Sequence, residues 1–152
     1  MPMYPTSSAC ASDGFDGVEP DMIEAAFNLD TAVFTPTDTI LPADQAAFNI
    51  RVANEIRAHG MDPWFKGDRP QSTQLEPYFV GAIEEEVYQY GEQGMNRAFT
   101  RAHKPVLVTE YEGSLYRTLP SGLPLCTDAR LRGYSVIKKE LMLTAPILQS
   151  CQ

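Results

Sequence analysis

The chain has 152 residues, 43% of them apolar, and a net charge of −8, which fits one globular domain with a real core and excludes a disordered chain. No apolar run approaches a membrane span, and the N-terminus has neither the basic nor the apolar region of a secretory signal. Residues 1–50 carry eight acids and no Lys or Arg, while the twelve bases and twelve acids of residues 51–152 cancel, so binding of nucleic acid through its phosphates is disfavoured.

Three cysteines, Cys10, Cys126 and Cys151, are odd in number and widely spaced. That argues against a disulfide framework and for a reducing compartment, cytoplasmic or within a particle.

Residues 1–20 mix Pro, Ser, Gly and Asp with isolated apolars, the pattern of a flexible arm in which Met3, Tyr4 and Phe15 are free to pack on a domain or a neighbour. A single globular domain is expected over 21–145, with residues 146–152 as an apolar-leaning tail able to dock. A first helix should start at Asp21, with Glu24 three residues on as a capping pair, and end by Phe34; Ile23, Ala26, Phe27 and Val33 mark its buried stripe. The segment 35–42, TPTDTILP, reads as a loop. The second helix is the clearest. Pro42 and Asp44 suit its first turn, Phe48, Val52 and Ile56 stack along one face with Asn49 and Ala53 beside them, and Gly60 caps it after Arg57 and His59.

Residues 61–72 form an irregular connection that holds Trp64 and Phe65 among Lys66, Asp68 and Arg69. Aromatics beside Arg in a stiffened loop have the composition of an interface hot spot, while the plainer role for Trp64 is to cover the edge of the core. A third helix is expected from Thr73, with a stripe of Phe79, Ile83, Val87 and Tyr90, an interruption at Gly91 and Gly94 that either kinks it or divides the span into two helices, and continuation through Ala102. Glu84, Glu85 and Glu86 then form a solvated acidic face.

Residues 105–119 read as a β-hairpin turning at Glu112-Gly113, with Glu110 and Arg117 as a diagonal charge pair. PSGLPL is a turn. In 131–143, Tyr134, Val136 and Lys138 alternate with Ser135, Ile137 and Lys139 as in a strand, while Ile137 and Leu141 would also suit a helix. A third strand beside the hairpin is favoured, since two strands alone leave two open edges. The expected fold class is therefore α+β, about three helices packed on a small antiparallel sheet built around the hairpin.

The chemistry is sparse. His59 and His103 both sit at helix ends, where imidazoles serve the C-terminal carbonyls. There is no CxxC, HxxxH, HExxH, GxSxG, phosphate loop or GxGxxG, so neither a metal nor another cofactor is expected. The charge distribution points to a non-enzymatic protein-binding module whose acidic surface meets a basic protein partner. It is expected to act as an inhibitor or immunity-type protein, or as a component of a larger assembly such as a virion, in which self-association is open. Trp64, Phe65, Arg69, Glu84, Glu85 and Glu86 are the candidate partner-binding residues, and no catalytic residue is expected on this reading. The alternative is a small enzyme with a polar site at the helix–hairpin junction, formed by His103, Glu110, Tyr116 and Arg117.

Overall fold

The computed structural model describes residues 7–28 and 40–151. The expectations for Met3 and Tyr4, for the end of the first helix with Val33, and for residues 35–39 of the loop lie outside these. The chain forms two compact units, Met1–Val80 and Gly81–Gln152.

In the first unit a short helix α1 (Ser7–Ser12) leads into strand β1 (Gly17–Val18). Asp21 does not open a helix; α2 is the single turn Ala25–Asn28. Helix α3 runs Pro42–Ala58, with Pro42 in its first turn and Gly60, at φ +77°, just beyond its end, as the residue types predict. Its buried side takes in Ile56 and the flanking Asn49 and Ala53 of the expected stripe but is turned away from Phe48. Ala46, Asn49, Ala53 and Ile56 face the core, whereas Phe48 is 54% exposed. Strand β2 (Asp62–Phe65) occupies the stretch expected to be irregular and pairs parallel with β1, Gly17 opposite Asp62. A Cβ on Gly17 would lie 3.1 Å from the Trp64 ring, so the absent side chain makes room for the indole. Phe65 is fully buried and meets Phe79 edge-to-face at 5.5 Å.

The expected long third helix is not formed. Its span holds one helical turn, α4 (Ser72–Leu75), a 3₁₀ turn at Glu76–Tyr78, strand β3 (Gly81–Glu85) and, after a series of turns, helix α5 (Arg97–Arg101). Phe79, Ile83 and Val87 satisfy helical spacing. The near-continuous apolar run Phe79–Ile83 equally suits a strand enclosed on both faces, and Pro77 and Gly81 disfavour a helix.

The hairpin is absent as well. Only its first half is a strand, β4 (Val106–Glu110), flanked by β3 on one side and β5 (Tyr134–Lys138) on the other, both parallel to it. With both edges of β4 taken, residues 111–117 cannot return along it, and Leu115 and Leu119 anchor this loop in the core instead. Helix α6 (Leu125–Arg132) fills the connection to β5 and packs against that strand. The tail ends in β6 (Gln149–Ser150), antiparallel to β5. Between named strands of these units the pairings described are three parallel and one antiparallel, with helices in the chain between successive strands from β1 to β5. The expected antiparallel α+β fold is therefore replaced by a mostly parallel α/β arrangement.

Because β6 lies along β5, Cys151 reaches Cys126 near the start of α6, and the two form a disulfide with a Cα–Cα distance of 5.1 Å. This corrects the expectation against disulfides; Cys10 is left as the free thiol. Among the described residues no helix is long and apolar enough to cross a membrane.

Candidate active site

Parallel strands all run one way, so the residues just past each strand collect at one edge, and in α/β folds that carboxyl edge is where chemistry is placed. In both units that edge is rich in charge.

In the first unit β1 runs into Glu19-Pro20-Asp21, and β2 into Lys66-Gly67-Asp68. The ammonium of Lys66, a residue 7% exposed overall, sits 3.1 Å from Asp21 Oδ1 and 3.3 Å from Glu19 Oε1. Asp68 is buried. Its Oδ2 accepts a hydrogen bond of 2.7 Å from the Asn49 amide, which also donates to the Ile23 carbonyl and is itself held by Gln45 from the previous turn of α3. Burial, reinforced by the negative charge of Glu24, raises the Asp68 pKa to about 7 against the opposing pull of the Asn49 bond. Gly67, at φ +72°, lets the chain turn here; a Cβ would overlap the Glu24 carboxylate.

In the second unit β3 ends in Glu84-Glu85 and continues into Glu86, while β4 ends in Glu110. Strand alternation separates these acids. Register pairs Glu84 with Val108 and Glu85 with Thr109, so Ala82, Glu84, Val106, Val108, Glu110, Tyr134 and Val136 share one face, which is buried. Ile83, Glu85, Leu107, Thr109, Ser135 and Ile137 share the other, and all six are partly or fully exposed.

Glu110 is wholly enclosed, accepts the Tyr88 backbone N–H at 2.9 Å, and lies 3.4 Å from Arg117 Nη2. Burial raises its pKa, opposed by the Tyr88 N–H and then by the Arg117 charge. Glu85, on the accessible face, accepts a hydrogen bond from the Tyr111 hydroxyl, which β4 delivers just past its own end. Beneath the loop after β3, Tyr88 donates to Asp128 at 3.1 Å, and Arg132 clasps the same carboxylate at 2.5 and 3.2 Å. Burial and the Asp128 charge push the Tyr88 hydroxyl pKa up. Burial likewise pushes Tyr134, which donates to the Gln93 carbonyl at 2.7 Å, up to about 12. These buried groups brace the loop after β3.

The expected site residues fall in different places. Trp64 is half-buried against Gly17, Phe65 is core, and Arg69 opens a 3₁₀ turn. Glu84 is buried and Glu85 and Glu86 half-buried at the end of a strand, not on a solvated helix face. Of the junction set, Glu110 and Arg117 do meet, although the loop and not a hairpin brings them together. Tyr116 is 69% exposed, and His103 stands before β4, at the opposite end of the strand from Glu110. Sequence reasoning missed Lys66 with its two acids, Asp68, and Tyr111 as the partner of Glu85. The available signal was that two hydrophobic runs, PWF and VLVT, each stop at a charged residue.

Parallel strands carrying acids at their carboxyl edges, one of them on the more exposed face and bonded to a tyrosine, define an α/β fold with carboxylates gathered at one edge. Residues 3–152 match the model of glycoside-hydrolase family GH114, and the chain belongs to that family. No curated protein matches it. Among solved structures it is similar to Aspergillus fumigatus Ega3, crystallised in complex with galactosamine, with 22% identity and a TM-score of 0.73 over 93% of this chain. The chain spans about half, 56%, of the length of that TIM-barrel-like neighbour. These findings overturn the expectation of a non-enzymatic inhibitor or virion component with a basic protein partner. Membership in a glycoside-hydrolase family stands nearer to the alternative expectation of a small enzyme.

Proposed function

We propose that the chain works in the hydrolysis of a glycosidic bond in an amino-sugar polymer, with Glu85 as one of the two carboxyl groups such cleavage requires. One observation carries this reading: Glu85 alone of the acids in strands β3 and β4 ends its strand on the accessible face, with Tyr111 fixing it by a hydrogen bond. Glu110 is the positioning residue beside it. Enclosed, and bonded to Tyr88 N–H and Arg117, it holds the loops after β3 and β4 and does not reach substrate.

Family membership supports the reaction class, and the galactosamine bound to the similar fold supports the substrate class. Charge supports it too. Amino sugars with free amines are cations near neutral pH, and a chain of net charge −8 attracts them at long range. The Cys126–Cys151 bridge fits an oxidising compartment.

The test is release of reducing ends from oligomers of galactosamine, measured together with mass spectrometry of the products, for the native chain and Glu85→Gln. Cleavage that falls by about 10²–10⁴ in the variant, with fold retained, is expected for a carboxyl group acting on the bond. Undiminished cleavage by Glu85→Gln, or none by the native chain while neutral oligomers are cut, would refute this assignment.

A further inference from the structure

The loop after β4, residues 111–119, begins with Tyr111, which fixes Glu85, and carries Arg117, which reaches Glu110. Leu115 and Leu119 anchor it in the core, and hydrogen bonds from two sides hold its backbone. On one side stands the start of α6, where Leu125 N–H donates to the Arg117 carbonyl at 3.0 Å. On the other stands the tail, where the Gln149 side-chain oxygen of β6 accepts the Leu115 N–H at 2.8 Å. Lys138, opposite Gln149 in the β5–β6 register, donates to the Gly113 carbonyl of the same loop.

The disulfide joins these two sides. Cys126 directly follows Leu125, and Cys151 lies just beyond Gln149 and Ser150. The bridge therefore ties the donor on one side of Leu115–Arg117 to the acceptor on the other. The strand β6 has little hold of its own: it pairs with β5 over two residues, and Leu148 N–H to the Lys138 carbonyl and Cys151 N–H to the Val136 carbonyl, both at 2.9 Å, flank that pairing. A pairing this short opens repeatedly when no covalent tie shuts it. Both cysteines are half-buried, within reach of a small thiol reagent.

We propose that the Cys126–Cys151 bridge is a redox-sensitive clamp on the loop after β4, with Gln149 as the positioning residue through which it acts. An external dithiol supplies two electrons and two protons; the S–S bond breaks, each cysteine sulfur becomes a thiol, and the dithiol closes to its own disulfide. The strand β6 then opens and closes, Leu115 N–H loses Gln149 for part of the time, and the loop holds Tyr111 against Glu85 less firmly. Cleavage is thereby favoured where disulfides persist and damped where thiols dominate. That last consequence rests on the reading of Glu85 as a carboxyl group of the cleavage; the clamp itself does not.

The test uses the full chain, oxidised or treated with dithiothreitol, at a temperature where circular dichroism shows every form folded. The first readout needs no substrate: it is hydrogen exchange of the Leu115 amide. In the oxidised chain Gln149→Ala should speed that exchange roughly tenfold, the worth of one hydrogen bond, while Gln149→Glu keeps the acceptor oxygen and should leave it slow. In the reduced chain Gln149→Ala should add no more than about twofold, because the bond it removes is already loosened. The second readout is cleavage of galactosamine oligomers, in which reduction and Gln149→Ala should each lower kcat severalfold at unchanged KM. A Leu115 amide indifferent to Gln149→Ala, or an effect of that variant as large in the reduced chain as in the oxidised, would overturn the clamp. Exchange that responds as expected while kcat is equal in oxidised and reduced chains would overturn its part in cleavage. Cleavage absent from every form would count against the glycosidase reading, and exchange would still decide the clamp.

Discussion

Replacing Cys126 and Cys151 together by Ser is expected to lower the stability of the chain substantially, and the size can be worked from the connectivity. The bridge closes a loop between residues 25 apart. In the chain-entropy treatment a loop of that length removes roughly 12 cal/mol/K from the unfolded ensemble, about 3.5 kcal/mol at 25 °C. Without the bridge the tail retains the short β5–β6 pairing, the Cys151 N–H bond to the Val136 carbonyl at 2.9 Å, and the Gln149 side chain bonded to Leu115 N–H. The assay is guanidinium unfolding for the free energy and thermal unfolding for the midpoint, of the native chain and the double variant, each with and without reductant. The native chain should lose about 3.5 kcal/mol on reduction, roughly 7–14 °C in midpoint for a chain of this size, and the variant should ignore reductant. A reduction loss below about 1 kcal/mol would refute the reasoning, because the loop would then constrain the unfolded chain far less than its length requires.

Two further outcomes concern the strand edges. The Asp68 pKa is raised in the folded chain from 3.8 to about 7, so its contribution to stability is complete below pH 3.8 and is lost as the pH rises toward 7. Asp68→Asn should therefore show a flatter fall in unfolding midpoint between pH 4 and 7 than the native chain; parallel curves would show that Asp68 does not carry a raised pKa. Tyr111→Phe removes the hydroxyl bonded to Glu85 and should slow cleavage of galactosamine oligomers by roughly tenfold, the worth of one hydrogen bond to a charged group, with little change in KM. A change confined to KM would mean that Tyr111 binds substrate and does not position Glu85.

Local signals were sufficient where local forces decide. Helix α3 was readable because Pro42, the apolar spacing and Gly60 act within the helix itself, and the alternation in 134–138 marked a strand whatever its partner. Parallel pairing is different: β3 and β4 meet across a 20-residue connection, and no short-range pattern encodes which strand lies beside which. Glu112-Gly113 looked like a hairpin turn because the sequence does not show that both edges of β4 are occupied. Helix α6 carries little apolar periodicity in LCTDARLR, but Pro124 before it and Gly133, at φ +77°, after it were the punctuation of a short helix. The site was obscured for the same reason. Asp21 looked like a helix cap, Lys66 and Asp68 like loop charges, and Glu84–Glu86 like a polar face, because their meaning rests on where strands end.

Three successive glutamates in this chain have three separate fates. Glu84 lies inside, Glu85 opens to the accessible face, and Glu86 leaves the strand at φ +53°. Nothing in their side chains distinguishes them; odd or even position along a pleated backbone does. Such a strand tolerates swaps of residue type better than a change in count. Deleting Ala82 would move each following residue to the opposite face. Glu84 would turn outward, Glu85 inward to the place of Glu84, and Glu86 would come to the outward place that Glu85 holds, so that the run of three keeps an acid on each side of the strand.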